Sequence, residues 1–169
     1  PGSAVPVIVP SFDTSASAAP TLVPGSLEAR TLTWGYEADW KKALLFNTRL
    51  DSVQKPIWRD SMAHRRCLIP ALSFFESHAT ETVPSPRSGK PVKRPYEFAL
   101  PDSEPFLIGG IWQGGRFSMV TTDPNAAVAP VHDRMPLVLR PHEVSLWLSG
   151  GYQALADRSA LALDVRPAK

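Results

Sequence analysis

The first apolar stretch, Val5-Pro6-Val7-Ile8-Val9, stops at Pro10 and predicts a strand. Residues 11–26 are rich in Ser, Ala, Pro and Thr with few charges, which predicts a loop or weak hairpin. A second strand is expected over Thr31–Tyr36. Across Ser52–Arg65 the pattern changes: Val53, Ile57, Trp58 and Met62 recur at helical spacing, and Pro56 marks a first turn or a break. Short strands are read at Cys67–Ile69 and Ser73–Glu76. Residues 78–94, with Pro84, Pro86, Gly89 and Pro91, predict a polar loop ending at Pro95-Tyr96-Glu97-Phe98. Phe106–Trp112 and Arg116–Thr121, separated by Gln113-Gly114-Gly115, predict a hairpin. Beyond it come a short helix at Pro124–Ala129, a strand at Met135–Leu139, a helix from Pro141 through Leu148, and another short helix at Tyr152–Leu161. The elements predict an α+β domain: a strongly curved, mostly antiparallel, barrel-like sheet flanked by short helices.

Composition narrows this picture. A chain of 169 residues is expected to form one domain. With 43% hydrophobic and 20% charged residues it matches an ordinary globular composition. The net charge of +2 gives no global basic field, so nucleic-acid binding would have to come from a local patch. The 18 prolines argue against long helices and for short strands and turns. One cysteine excludes an internal disulfide and suits a reducing compartment. No apolar run is long enough for a bilayer and no signal-peptide pattern opens the chain, so a cytoplasmic location without membrane contact is expected.

Candidate chemistry gathers at polar residues set among apolar ones. His132 lies in Pro130-Val131-His132-Asp133-Arg134-Met135-Pro136, a polar turn entering an apolar strand. Asn47 lies in Phe46-Asn47-Thr48-Arg49, and Glu76 follows Phe74-Phe75. An imidazole with an ordinary pKa of about 6.5 relays protons near neutrality. A carboxylate exchanges a proton or steadies a developing cation. A carboxamide donates and accepts at once, which suits a hydroxyl or oxyanion. The plainer reading is that each merely satisfies backbone groups in a loop-rich fold.

Arg49 and Arg134 stand two positions from Asn47 and His132, and strand positions i and i+2 share a face. Guanidinium suits phosphate, although Arg49 could instead pair with Asp51. Trp34 and Trp40 could be stacking platforms or core. Arg87, Lys90, Lys93 and Arg94 form a basic cluster that could equally be a solvated loop tip. Cys67 lies inside an apolar strand and reads as inert core. One Cys and four scattered His make no zinc pattern, and no phosphate-binding glycine loop is present; neither a metal nor another cofactor is expected.

Taken in order, Trp34-Gly35, Asn47-x-Arg49, Arg65-Arg66-Cys67-Leu68-Ile69-Pro70, Phe75-Glu76 and His132-Asp133-Arg134-Met135-Pro136 resemble the SRAP (SOS response-associated peptidase) family. The resemblance runs from Pro1-Gly2 to about Val165. It implies that an intact relative loses its initiator Met to expose an N-terminal Cys. The thiol and α-amine of that Cys condense with the aldehyde of an abasic site in single-stranded DNA, giving a thiazolidine crosslink. By the resemblance Asn47, Glu76 and His132 support this chemistry, and Trp34, Gly35, Arg49, Thr121 and Arg134 contact the DNA. The partner implied is abasic single-stranded DNA bound by a monomer, nucleoid-associated if the source is bacterial.

The family's N-terminal nucleophile has no counterpart, and Cys67 has no α-amine. Pro1-Gly2-Ser3 reads as an appended scar or as the interior of a longer protein. The resemblance favours the interior, with an opening segment and some C-terminal residues missing. The chain departs from the family at Ser77, where Trp is usual, at Leu72-Ser73, where Asp-Gly is usual, and at Ala38, where Pro is common. Two alternative activities remain: a thiol peptidase, including autoproteolytic Met removal, and a non-catalytic single-stranded-DNA-binding module.

Overall fold

A computed structural model describes residues 1–13, 21–101 and 104–168. Strands β1 (Ala4–Asp13) and β2 (Thr21–Trp34) pair antiparallel, from Ala4 opposite Thr33 to Asp13 opposite Thr21. The expected weak hairpin over 11–26 is therefore seen at its two ends, while residues 14–20 lie outside the described residues. Gly35, at φ +111°, ends β2 in a conformation open to glycine. A Cβ there would also stand 2.9 Å from the Leu44 Cβ. The chain continues through β3 (Tyr36–Ala38), β4 (Lys41–Leu45) and β5 (Asn47–Arg49).

Helix α1 (Pro56–His64) begins with Pro in its first turn and buries Trp58 and Met62 of the expected face together with Ser61, while Ile57 is half-buried and Val53 precedes the helix. Strands β6 (Arg66–Ala71), β7 (Phe74–Pro84), β8 (Pro91–Ala99), β9 (Phe106–Gln113) and β10 (Arg116–Thr122) follow. The short β11 (Met135–Pro136) and β12 (Val138–Leu139), helix α2 (Val144–Ser149) and β13 (Asp164–Pro167) complete the described chain.

The larger sheet runs β11-β10-β2-β1-β6-β9-β12, with β5 added beside β10. Strand β9 also pairs with β10, so the succession β10-β2-β1-β6-β9 returns to β10. Most pairings are antiparallel; β10 runs parallel to β2 and to β5. A smaller sheet holds β13-β8-β7. The whole is mostly sheet with a few short helices, an α+β architecture.

Period-two alternation divides the core between the two faces of the larger sheet. One face gathers Val7 and Val9 of β1, Cys67 and Ile69 of β6, Ile108 of β9, Phe117 of β10 and Val138 of β12. The opposite face gathers Leu68, Ile111, Val120 and Leu139 against Trp58 and Met62 of α1 and Trp147 of α2. Trp147 is fully buried, and its indole N–H donates to the Cys67 carbonyl at 3.0 Å, leaving no orphaned donor. Gly110 of β9 leaves room for the side chains of β6: a Cβ there would meet the Cys67 Sγ at 2.9 Å.

Three expectations need correction. Residues 78–94 form no long loop: β7 and β8 pair as far as Pro84 opposite Pro91, leaving only a short tip at 85–90. This hairpin is exposed along much of its length, so pairing proceeds without the apolar alternation that advertises a strand. Pro124–Ala129 is a series of turns: the Asn125 Oδ1 accepts from the Ala127 and Val128 amides as a helix cap would, but Pro130 follows with no amide to continue the ladder. Helix Tyr152–Leu161 shrinks to a single 3-10 turn at Tyr152–Leu155.

Candidate functional site

Glu76 stands near the base of β7, two residues beyond buried Phe74 and on the same side of the strand. The loop carrying His132 docks against this strand through a hydrogen bond from the Ala79 amide to the Val131 carbonyl, 2.9 Å. His132 Nε2 then lies 3.8 Å from the Glu76 carboxylate. The Arg134 amide donates to His132 Nδ1 at 3.1 Å, which places the neutral ring's proton on Nε2, toward Glu76. In the imidazolium, Nδ1–H can donate to the Arg134 carbonyl, also at 3.1 Å.

The Glu76 side chain is only 18% exposed. Burial pushes its pKa above the ordinary carboxylate value, His132 partly opposes the shift, and Asp133 adds to it. A carboxyl whose proton is held more tightly than usual, 3.8 Å from an imidazole, is placed to exchange a proton with it.

Asn47 and Arg49 belong to β5, whose middle residue Thr48 is buried and shares a 2.8 Å hydrogen bond with Ser118. Alternation turns Asn47 and Arg49 to the other face, with Met119 and Thr121 of β10 as their register partners. Asn47 is exposed, and its carboxamide makes no hydrogen bond among the described residues. No hydrogen bond or ion pair among the described residues joins it to Glu76 or His132.

Asp51 supplies an indirect link. It accepts from Arg49 at 2.8 Å and lies 3.3 Å from the Arg134 guanidinium, two residues from His132. Arg134 is 12% exposed and is also held by Asp123 at 2.5 Å and by the Thr121 carbonyl at 3.3 Å. Arg49 and Arg134 therefore face two carboxylates, and the four charges cancel. The Arg49 guanidinium holds Asp51 below the ordinary carboxylate range. A cleft of about 220 Å³ opens beside this group, lined by Leu50, Asp51, Thr122, Asp123, Arg134 and Tyr152 among others.

The remaining candidates are placed as follows. Trp34 is half-buried, stacked on Phe117 with ring centroids 6.3 Å apart, and donates to the Phe46 carbonyl at 2.9 Å. The chain start is tied to it: the Gly2 amide donates to the Trp34 carbonyl and the Trp34 amide to the Ser3 carbonyl. Gly35 and Thr121 are buried, so Thr121 meets the cluster through its carbonyl. Cys67 is fully buried and its thiol pKa is pushed up by burial. Trp40 is exposed. Asp123, which sequence reasoning missed, carries no local signal: it meets Arg134 only through the pairing of β10 with β11. Among the described residues no cluster of three or more His, Cys, Asp or Glu could hold a metal, and no helix is long and apolar enough to cross a membrane.

The fold and these motifs define the chain as a member of the SOS response associated peptidase (SRAP) family, whose profile matches residues 1–168. Among its relatives is the abasic site processing protein YoaM of Bacillus subtilis, 29% identical over 133 residues, covering 70% of this chain and 55% of that protein. Another is the abasic site processing protein YedK of Escherichia coli, 29% identical over 126 residues, covering 68% and 52%. The chain spans about half the length of the curated relatives it matches. The crystal structure of a phage-related protein from Bordetella bronchiseptica has a similar fold, with a TM-score of 0.71 at 23% identity, covering 100% of this chain and 80% of that one.

Proposed function

We propose that this chain is the DNA-binding and proton-transferring part of an abasic-site processing protein acting on single-stranded DNA. The observation that carries the reading is the Glu76–His132 pair: a half-buried carboxyl with a raised pKa, 3.8 Å from an imidazole whose Nδ1 is engaged by the backbone. Capture of an open-chain abasic sugar proceeds by addition of an amine to its aldehyde, loss of water to an imine, and closure by a thiol. Loss of water needs an acid and closure needs a base, which one carboxyl–imidazole pair can supply in turn. In this reading the nucleophile is an N-terminal Cys of the intact protein; Cys67 is sealed in the core. Asn47, with its carboxamide unoccupied, holds a sugar hydroxyl, Arg49 and Arg134 take flanking phosphates, and the half-buried Trp34 is a stacking partner for a base. The closed succession β10-β2-β1-β6-β9 supports a barrel-like frame that fixes these strand ends. A soluble cytoplasmic monomer needing no cofactor completes the proposal.

The test compares binding to a single-stranded oligonucleotide carrying one abasic site with binding to its intact counterpart. Wild type should prefer the abasic strand, and Asn47→Ala, Glu76→Gln and His132→Ala should each erode that preference. Equal affinity of wild type for both strands overturns the reading. Cleavage of a peptide substrate dependent on Glu76 and His132, without any abasic preference, would favour the peptidase alternative.

A further inference from the structure

The distal part of the β7–β8 hairpin carries more positive charge than the whole protein, although Glu76 and Glu97 at its base bring the full hairpin to +1. From Ser77 to Tyr96 it holds Arg87, Lys90, Lys93 and Arg94 against a single acid, Glu81, a net of +3. The chain totals +2, so everything outside this Ser77–Tyr96 segment nets −1. Glu81 is already engaged: Arg94 pairs with it at 2.7 Å and the Tyr96 hydroxyl donates to it at 2.7 Å. Arg87, Lys90 and Lys93 are exposed and have no carboxylate partner among the described residues.

The hairpin is built to project these cations. Its pairing slips between Ser77 and Thr82, where β7 takes extra residues into a bulge. His78 closes that bulge by accepting from the Thr80 and Glu81 amides at 3.2 and 2.9 Å. Beyond it, Thr82 to Pro84 pair regularly with Lys93 to Pro91.

We infer that the hairpin tip is a second nucleic-acid contact, holding backbone phosphates of the strand whose abasic nucleotide occupies the Glu76–His132 site. This rests on the function proposed above. Strand β8 measures the reach, since Tyr96 faces Glu76 across the ladder. At about 3.3 Å per residue, Lys93 lies roughly 10 Å from Glu76 and Lys90 roughly 20 Å. On a stacked strand rising about 3.4 Å per nucleotide, that span is about three to six nucleotides from the site. The chemistry fits a polyanion better than a protein surface: the tip from Pro84 to Lys93 exposes Val92 as its sole large hydrophobic residue, and protein hot spots rest on buried aromatic or apolar anchors.

The experiment uses the triple variant Arg87→Ala/Lys90→Ala/Lys93→Ala and two abasic single strands, one with fifteen nucleotides on each side of the lesion and one with two. Each lost phosphate contact lowers the slope of log affinity against log salt by about 0.7, so the long strand should lose about 2 in slope and the short one nothing. An unchanged slope on the long strand overturns the inference and makes the tip a solvated surface. Equal losses on both strands also overturn it, assigning the cations to long-range steering. If wild type binds neither strand, this inference and the proposed function fall together. If the triple variant loses slope on the long strand alone while Glu76→Gln and His132→Ala leave abasic preference intact, only the site reading falls.

Discussion

Asp51→Asn should tighten single-stranded DNA binding, although it removes two ion pairs. Asp51 is shared by Arg49 and Arg134, and with Asp123 it brings that group of four charges to zero. A phosphate approaching either guanidinium therefore meets no net attraction and must displace a carboxylate. Asparagine keeps the shape and leaves the group at +1. A unit charge about 4 Å away in water is worth about 1 kcal/mol, and the half-exposed Asp51 lies near that high-dielectric limit. The expected gain is thus about fivefold in affinity. With no carboxylate to displace, Arg49 engages its phosphate as an uncompensated charge, so the salt slope should steepen by up to about 0.7. Folding should suffer little, because the exposed Arg49 pair contributes about 0.2–1 kcal/mol and the less exposed Arg134 keeps Asp123 and the Thr121 carbonyl. The assay is fluorescence anisotropy of a labelled single strand titrated at several salt concentrations, with thermal unfolding measured alongside. Weaker binding by a stably folded Asp51→Asn, with an unchanged or shallower slope, would refute the reasoning and mean that Asp51 positions the arginines for DNA.

Three further outcomes are expected. Because burial raises the folded pKa of Glu76, its contribution to stability is greatest below the unfolded value near 4.5 and falls as pH rises through the folded value. Glu76→Gln lacks that loss, so its thermal midpoint relative to wild type should rise as pH increases above about 4.5 and level off above the folded value; a constant difference would contradict the reading of a carboxyl desolvated by packing. Gly110→Ala should destabilise by about 1–3 kcal/mol, since its Cβ meets Cys67 Sγ at 2.9 Å and Ile69 Cδ1 at 3.0 Å. Adding Cys67→Ala should recover only part of this in chemical denaturation, as Ile69 and the Ser118 carbonyl at 3.3 Å remain. Finally, a polypeptide of these 169 residues should give no denaturation-resistant adduct with abasic DNA and no native-state alkylation of Cys67; an adduct lost on Cys67→Ala would make that thiol the nucleophile.

Local physics made much of the fold legible in the sequence. Alternation along Cys67-Leu68-Ile69 sends neighbours to opposite core faces, Pro56 opens α1, and Gly114-Gly115 turn β9 into β10. These signals act within a few residues and need no distant partner. The same is true of the ordered motifs that marked Asn47, Glu76 and His132 as candidates and of the Arg49–Asp51 pairing. Other features depend on contacts between remote segments, and only the tertiary structure decided them. Asn125 ties the 124–129 turns to the remote Leu161 carbonyl through its side-chain amide. The β7–β8 hairpin pairs through backbone groups that a polar sequence does not advertise. The 3.8 Å meeting of Glu76 with His132, and the neutralisation of Arg134 by Asp51 and Asp123, arise where strands distant in sequence come side by side. Residue type fixes what each group can do; its pKa and partners follow from burial and distance, which are properties of the packed chain.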